Sequence, residues 1–371
     1  MVKQEEEFSW IELKPQQKFK DDEENNMLKI IQHASEFAFF VFRNKSEMKM
    51  IVRTTKNDQN LFKTIEGVSV EPIEKPHFEK MITKYLTIRN NHSMVPLVDL
   101  KNITKSNLYS KLWAEQRDSM MACFVCDQTK KISSEIDRKI NALERRATTK
   151  GVIPSGKNKA ELAAAKQKRE GHSYYNCTIV FGAQTGAPEL SEIQAEKHRK
   201  MKEERNTYES RIKNLESIDT KESRKEYGIL RESYKKAVKK IQDDFNSDAK
   251  TVREDIKETA RILDKIISNV LLNSFAHRIA THKVRFSFGE KSFRQRLVEM
   301  FGRTVIDPYT FVPKKSYSKS MVLTEVELAF FISLPQEHDV QTINFGIGPT
   351  PTFVHGKTQE IGDTDLTMDF G

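Results

Sequence analysis

The residues that come nearest to a known chemical motif are those of Gly151–Asn158, which read GVIPSGKN. A phosphate-binding loop has the pattern GxxxxGK[ST], in which the lysine contacts the phosphates and the last hydroxyl group holds Mg²⁺. Here Asn158 occupies the hydroxyl position, and the basic run Arg145–Lys150 precedes the motif in place of a buried strand. The segment therefore predicts a flexible basic loop, and a nucleotide hydrolase that uses Lys157 stays open as an alternative.

Three cysteines offer a second chemistry. Cys123 and Cys126 have the CxxC spacing of a metal or redox motif, and Cys177 is the one remaining cysteine of the sequence. A structural zinc site needs four ligands, and residues three apart in a β-strand face opposite sides. We therefore expect buried core thiols, and we predict no catalytic, cofactor-binding or metal-ligating residue in this chain.

The best candidate for a binding site is the basic stretch Arg145–Gly171, which contains eight Lys or Arg residues and two Glu residues. Lysine and arginine side chains bind nucleic-acid phosphates electrostatically, and Tyr174 and Tyr175 follow the stretch as base-stacking candidates. A solvated loop, whose tyrosines join a strand, is the alternative. The residues predicted to contact nucleic acid are Lys157, Lys159, Lys166, Lys168 and Arg169.

Composition restricts the class of protein without selecting a function. The 371 residues carry a formal net charge of +9, which permits a polyanionic partner. The longest apolar runs, such as Phe37–Phe42 and Ala329–Leu334, are far shorter than the ~20 residues of a membrane helix. Three cysteines do not make a disulfide framework, and the N-terminus lacks the apolar stretch of a signal peptide. We expect a cytoplasmic protein that is neither secreted nor membrane-spanning.

The first part of the chain predicts a small mixed unit of helices and strands. After a helical pattern, the apolar runs Phe37–Phe42 and Met48–Val52 flank the polar turn of a β-hairpin. A second helix at Asn57–Ile65 is expected to end at Gly67, and Val68–Ile73 predicts an edge strand because it contains a proline. The order helix, hairpin, helix, strand is typical of a ferredoxin-like fold.

Further elements follow this first unit. We predict a helix at Asn107–Asp118 and a buried strand at Ser119–Cys126. Tyr174–Ala183 is the clearest central strand of the chain, and we expect it to enter a second ferredoxin-like unit. Thr324 with Glu327 three residues later predicts a capping box at the start of a helix.

Residues 188–270 differ in kind, since 20 are Lys or Arg and 18 are Asp or Glu. Apolar or small residues recur at steps of three and four from Tyr227 to Val270, close to a heptad repeat. A shorter series runs from Met201 to Leu215. We predict an inserted antiparallel helical hairpin, whose longer helix spans ~65 Å at 1.5 Å per residue, as a spacer or partner-docking arm. A scaffold that dimerises through these residues alone is an alternative.

These patterns predict the α+β class, with two ferredoxin-like α/β units and an inserted long antiparallel helical hairpin that resembles a coiled coil. The predicted ranges are 1–144 for the first α/β region, 145–173 for the basic flexible loop, 174–187 for the strand that enters the second unit, 188–270 for the helical hairpin, 271–335 for the remainder of the second unit and 336–371 for an extended tail.

Four segments together resemble the N-terminal, non-motor region of conjugative type IV secretion ATPases and of their HerA-like DNA-translocation relatives. They are Met27–Ile73, Met94–Lys131, Tyr174–Gly182 and Met321–Pro335. The last segment, MVLTEVELAFFISLP, is the most specific. It is similar to a family segment of leucine, Ser or Thr, Glu-Glu-Leu-Ala, an apolar pair and His-hydrophobic-Pro that lies just before the motor domain. Val326 replaces one Glu and Ser333 replaces the His.

The resemblance implies two ferredoxin-like units in front of a RecA-type motor, which forms hexamers and drives DNA or protein export at the inner face of the membrane. We therefore expect a non-catalytic assembly or docking domain, or subunit, of such an ATPase. The implied partners are a motor ATPase or secretion-channel components, a second copy of the chain and DNA, with the membrane reached only through partners. ATP and Mg²⁺ are expected only in a motor domain or partner. The alternative is a free-standing basic nucleic-acid-binding protein with a coiled-coil interaction arm.

Overall fold

The computed structural model describes residues 8–16, 24–76, 81–89, 108–115, 117–129, 133–148, 156–184, 190–216, 220–269, 285–289, 317–318 and 320–346. They form an antiparallel sheet of eight strands in a row, with two further strands beside it, and helices that pack on both of its faces. The expected α+β class is confirmed.

The strands are β1 (Phe8–Pro15), β2 (Glu36–Asn44), β3 (Glu47–Thr55), β4 (Val68–Ile73), β5 (Ile82–Arg89), β6 (Ser119–Gln128), β7 (Tyr174–Ala183), β8 (Arg285–Gly289), β9 (Tyr317–Ser318) and β10 (Ser320–Thr324). The helices are α1 (Glu24–His33), α2 (Gln59–Phe62), α3 (Leu108–Ala114), α4 (Ser133–Thr148), α5 (Gly156–Arg169), α6 (Leu190–Glu216), α7 (Lys221–Ile267), α8 (Glu325–Phe331) and α9 (Glu337–Thr342).

The strand order across the sheet is β4-β1-β3-β2-β6-β7-β5-β8, and each neighbouring pair is antiparallel. β10 pairs with the first half of β7, and β9 pairs with the end of β5. The range 1–144 predicted for the first α/β region includes β6. In the structure β6 and β5 lie on either side of β7. The pairing of β2 with β6 separates these three strands from β1, β3 and β4.

Local sequence explains the hairpin and the edge strand. Lys45 has a φ of 50° in the two-residue turn between β2 and β3, the left-handed geometry that matches the twist of paired strands. α2 is a single turn, shorter than the predicted helix at Asn57–Ile65. Gly67 has a φ of 71° just before β4, where residues with a side chain are strained. Pro72 lies in β4 at the end of the strand order, as predicted.

Both faces of the central strands are buried, which explains their continuous apolar runs. One face packs against α1, α2, α3, α8 and the C-terminal end of α7. The opposite face carries a second cluster around Phe40, Cys123 and Val180. α4 and α5 pack on this second side, next to Val322 of β10 and Tyr174 of β7.

The C-terminal third of α7 attaches the long helix to the sheet. The buried side chains that join the main core there are Leu263, Ile266 and Ile267. Ion pairs also join Asp255 to Arg117, with an N–O distance of 2.8 Å, and Lys265 to Glu115, at 3.1 Å. The remainder of α7 contacts α6. None of the predicted heptad positions from Leu230 to Ile266 is exposed.

Two ring contacts define how α6 and α7 meet. Tyr208 stacks on Tyr234, with ring centroids 4.4 Å apart, and Lys197 Nζ lies 4.4 Å from the ring centroid of Phe245. The later residue of α6 thus contacts the earlier residue of α7.

The stretch predicted as a basic flexible loop, residues 145–173, is different in the structure. α4 continues to Thr148, and Gly156–Arg169 forms α5. Leu162 and Ala165 pack against the apolar side of α4. The contact is hard to recognise in the sequence because much of the apolar side of α5 is alanine. Alanine favours a helix, but its small side chain gives only a weak apolar periodicity.

Two further expectations need correction. The predicted extended tail, 336–371, begins with α9, after which Ile343 and Phe345 are buried in the main core; residues 347–371 lie outside the described part of the chain. The strands β1 and β5 are also absent from the elements predicted above. β1 alternates polar and apolar residues around Ile11 and Leu13, which join the core.

The β2–β6 pairing joins the two sides of the sheet, and two carboxylates face each other at one end of it. Glu36 pairs with Asp127 in the register, and Arg53 Nη1 lies 3.5 Å from Glu36 Oε1. Burial raises the pKa of Glu36, and the charge of Asp127 raises it further, against the opposing effect of Arg53. The folded protein therefore binds a proton at Glu36 more readily than the unfolded chain does.

We predict that Asp127→Asn stabilises the fold at pH 7 by about 0.2–1 kcal/mol, the usual size of a cross-strand charge effect. Because the folded-state pKa of Glu36 is raised, its ionisation weakens the fold as the pH rises through that pKa. The gain should therefore be present at neutral pH and disappear in acid, where Glu36 is protonated. Urea unfolding at the two pH values measures this difference. Glu71→Gln, which removes an exposed ion pair with Lys14, is the control, and a gain that is independent of pH would contradict the assignment.

Candidate docking cleft over a buried ion pair

A cleft of about 360 Å³ lies where α1, the turn from α5 to β7 and the start of α8 meet. Leu28 and Gln32 of α1 form one wall, and His172 lies in the turn opposite. Val326, at the start of α8, is among the few exposed large apolar residues of the described chain. We call this feature the α1–α8 cleft.

An ion pair lies beneath the α1–α8 cleft. Lys168 Nζ is 3.0 Å from Glu327 Oε2, and the two side chains are only 1% and 5% exposed. The ammonium group also donates to the carbonyl oxygen of Val322. Burial lowers the pKa of Lys168, and Glu327 opposes that shift. A buried charge is tolerated only when it is paired and hydrogen-bonded, so each group requires the other.

Glu327 also completes the predicted capping box. Its Oε2 accepts from the backbone N–H of Thr324 at 2.9 Å, and Thr324 Oγ1 accepts from the N–H of Glu327 at 3.2 Å. These bonds satisfy backbone donors that the first turn of a helix leaves unpaired. The capping box that the sequence predicts is therefore confirmed, and its carboxylate is the one that holds Lys168.

Glu325 links the start of α8 to the turn before β7. It is 1% exposed, and its carboxylate accepts from the backbone N–H groups of His172 at 2.8 Å and Ser173 at 3.0 Å. Ser173 Oγ in turn donates to the carbonyl oxygen of Gln32 in α1, at 3.0 Å. A Cβ atom on Gly171 would lie 2.8 Å from Thr324 Cγ2, so the close approach of turn and helix requires a glycine here.

These contacts bring together the segments that carry the family resemblance. β2 of the first segment pairs with β6 of the second, β6 pairs with β7 of the third, and β7 pairs with β10 of the fourth. α1 of the first segment also contacts α8 of the fourth. The described parts of the four segments thus form one continuous packed unit, and the first and fourth of them line the α1–α8 cleft.

The predicted nucleic-acid residues have different environments. Lys157 and Lys159 lie in the first turn of α5. Lys166 pairs with Glu144 at 2.8 Å and Arg169 pairs with Asp137 at 2.9 Å, and both cations are more than half exposed. Lys168 instead points inward to Glu327. The nucleic-acid prediction therefore rests on the other four residues.

The two tyrosines suggested as stacking rings both belong to β7. Tyr175 is fully buried, and its hydroxyl group donates to the carbonyl oxygen of Ala34 at 2.8 Å. Burial raises the pKa of its phenol. Tyr174 packs on the cluster formed by α4 and α5, and its hydroxyl group bonds the carbonyl oxygen of Lys168 at 3.0 Å. Tyr175 is therefore a core residue and is not accessible for base stacking. Both tyrosines belong to a strand, as the alternative interpretation of this stretch predicts.

The cysteines are buried and free, as predicted. Cys123 and Cys126 lie in clusters on opposite faces of the sheet. Cys126 is directly opposite Cys177 in the β6–β7 register, with the two Sγ atoms 3.4 Å apart. Burial raises the pKa of Cys126 well above its usual value. Among the described residues, no three His, Cys, Asp or Glu side chains are grouped as metal ligands would be.

Comparison of the chain with models of known protein families, with characterised proteins and with solved structures finds no match. Of the helices that the structure describes, none combines the length and the apolar character needed to cross a membrane.

Sequence reasoning identified Thr324 and Glu327 but missed Glu325, Gly171 and Ser173. A capping box is a local pattern of four residues, so it can be recognised in the sequence. The partners of Glu325 are backbone amides about 150 positions away, and the sequence contains no signal for them.

Removal of one member of the buried ion pair should destabilise the protein strongly. We expect Lys168→Met to cost about 3–5 kcal/mol of unfolding free energy, because Glu327 would remain charged and buried. Lys166→Met, which breaks an exposed pair on the same helix, should cost about 0.5 kcal/mol or less. The double variant Lys168→Met with Glu327→Gln should recover part of the loss, since glutamine can still cap α8. Urea unfolding measures all three, and equal effects at positions 166 and 168 would refute the assignment.

Proposed function

We propose that this chain is a non-catalytic assembly and docking domain, or subunit, of a DNA-translocation ATPase of the conjugative type IV secretion type. The observation that carries the proposal is the packing of all four resembling segments into one unit, of which the first and fourth line the α1–α8 cleft. Glu325, Glu327 and Lys168 fix the shape of that unit. The two glutamates of the Leu323–Pro335 segment therefore have a structural role in this proposal and not a catalytic one. ATP and Mg²⁺ would bind to the motor domain or partner, not to this chain.

The strand order supports the proposal of two ferredoxin-like units. The elements β1, α1, β2, β3, α2 and β4 follow the βαββαβ order of that fold, and their strands lie in the order β4-β1-β3-β2. The elements β5, α3, β6, β7, α7 and β8 repeat both the connection order and the spatial order, as β8-β5-β7-β6. α4 and α5 then lie in the β6–β7 connection, and α6 precedes α7. The two units meet at the corresponding strands β2 and β6.

The contacts between α6 and α7 support the proposed antiparallel hairpin. Tyr208 with Tyr234 and Lys197 with Phe245 have the same sum of residue numbers, which is what a constant antiparallel register requires. In the proposed hairpin this register corresponds to a turn near Lys221, the first residue of α7. The pair then projects from the sheet as an arm, with the C-terminal third of α7 as its attachment.

The α1–α8 cleft is our proposed contact for the motor. In the family that the chain resembles, the segment similar to Leu323–Pro335 lies just before the motor domain. Here this segment forms one side of the cleft, and Val326 with Leu28 provides an apolar surface beside polar groups. A small apolar centre with a polar rim is the usual anatomy of a protein interface.

The test is co-expression with a RecA-type ATPase encoded in the same reading frame or in the neighbouring gene. We expect a stable complex by size-exclusion chromatography with light scattering. Val326→Glu should weaken it about tenfold or more, because it places a charge in the apolar centre. Lys257→Glu, at an exposed position of α7, is the control and should leave the complex intact. Absence of such a gene, or of a complex with its product, would refute the proposal.

One observation favours the alternative, a free-standing nucleic-acid-binding protein. Lys166 and Arg169 are exposed neighbours on one end of α5, and their carboxylate partners are exposed enough for phosphate groups to compete with them. Such a protein would use α5 as its phosphate contact and the helical arm for protein partners.

For this alternative, Lys166→Gln with Arg169→Gln should reduce the slope of log affinity against log salt by about 1–2. Fluorescence anisotropy with a labelled oligonucleotide measures the slope. Lys250→Gln with Arg261→Gln, at exposed positions of α7, removes the same charge and should leave the slope unchanged. Binding that is insensitive to the α5 variant would exclude this role for α5.

A further inference from the structure

Two adjacent residues of α7 break the rules for an exposed helix surface. Ile229 is 70% exposed, the largest exposure among the large apolar side chains of the described chain. Gly228, next to it, lies inside a 47-residue helix, where glycine is the least favourable residue after proline. A Cβ atom there would meet nothing within 4 Å, so packing within the chain does not require a glycine. Local violations of this kind mark sites where another constraint acts.

These two residues belong to an open groove on the helix. It is lined by Lys225, Gly228, Ile229, Glu232, Ser233 and Lys236. Lys225, Ile229 and Ser233 are spaced by four residues and form one ridge, and the other three form a second ridge with the same spacing. Two such ridges with a groove between them are the surface that a second helix uses in the commonest packing class.

We propose that this groove binds a second copy of the chain, with the two α7 helices antiparallel and a two-fold axis between Gly228 and Ile229. Ile229 of each copy then fills the space above Gly228 of the other. Lys225 of each copy faces Glu232 of the other, because both residues lie at equal distances from the axis. A two-fold contact requires a surface that is complementary to itself, and the pairs Ile229 with Gly228 and Lys225 with Glu232 meet that requirement near the axis.

The known contacts of the residues are compatible with this arrangement. Glu232 has a neighbour on its own helix, Lys235, at 3.4 Å, but both side chains are at least 60% exposed. Exposed pairs of this type are weak, so Glu232 can turn to the second copy. Helices packed by their i, i+4 ridges cross at an angle near −50°. With parallel axes, Lys221 of one copy would face Lys236 of the other roughly 11 Å from the two-fold axis. The crossing angle moves these two like charges apart.

The groove also lies on the correct side of the arm. Tyr234, which contacts α6, is on the opposite side of α7 from Lys225 and Glu232 at 100° per residue. A second copy can therefore bind while α6 stays in place. The inference does not depend on the proposed function, since it involves neither the α1–α8 cleft nor α5.

Analytical ultracentrifugation of the full chain from about 2 to about 200 µM tests the proposal. We expect the chain to dimerise in this range. Ile229→Ser should weaken the dimer about tenfold or more, because the apolar contact is lost. Lys225→Glu alone and Glu232→Lys alone should do the same, since each places like charges opposite one another. Lys257→Glu, an exposed position about 43 Å from the axis along α7, is the control and should leave the dimer unchanged.

The decisive measurement mixes the two charge variants. Lys225→Glu and Glu232→Lys chains in equal amounts should dimerise again, because every contact in the mixed pair has opposite charges. A contact elsewhere would not show this rescue. In a parallel arrangement each residue would face its own counterpart, so like charges would already be opposite in the unaltered chain and neither single variant would weaken the dimer. A chain that is monomeric over the whole range, variants that associate as the unaltered chain does, or a mixture that stays monomeric would each overturn the proposal.

Discussion

The pairing of β2 with β6 is the contact on which the rest of the fold depends. Nine residue pairs, from Glu36 with Asp127 to Asn44 with Ser119, join the two sides of the sheet. Both strands are apolar on both faces, so neither can lie at an edge without exposing a large surface. Pairing with each other gives β2 and β6 a neighbouring strand on both sides, so neither is an edge strand. It also sets the positions of Phe39 and Phe124, and therefore of α1, α3 and α8, which cover one face.

The ion pair of Lys168 with Glu327 depends on that arrangement but adds a different property. Apolar packing alone tolerates small changes of position, whereas a buried charge pair has little tolerance. Glu327 and Glu325 bind the start of α8 to α5 and to the turn before β7, and Ser173 continues the connection to α1. The α1–α8 cleft therefore has walls from distant parts of the chain that are held in one geometry. Such a preformed surface suits docking, because little conformational freedom is lost when a partner binds.

The contacts between α6 and α7 are governed by weaker forces. The charges are solvated and paired along the helices, as in Glu196 with Arg199, where the hydrogen bond from the guanidinium lowers the pKa of Glu196 to about 2. Exposed pairs of this kind contribute little to stability. Ring contacts such as Tyr208 on Tyr234 set the register instead. The molecule thus combines a tightly specified sheet with a pair of charged helices that are held by weaker contacts. Ile229 of α7 is the most exposed large apolar side chain of the described residues.

The sequence by itself determined the elements whose signals are local. The β2–β3 hairpin, β7, the heptad positions of α7, the edge position of Pro72 and the capping box of Thr324 could all be predicted, because each follows from periodicity or from residues within one turn. Only the tertiary structure decided what depends on residues far apart: that β5 and β6 lie beside β7, that α5 is a packed helix, and that Lys168 is buried. A lysine in a basic stretch looks like a phosphate ligand in the sequence. Its role is set by a carboxylate 159 positions later, which only the folded chain brings within 3.0 Å.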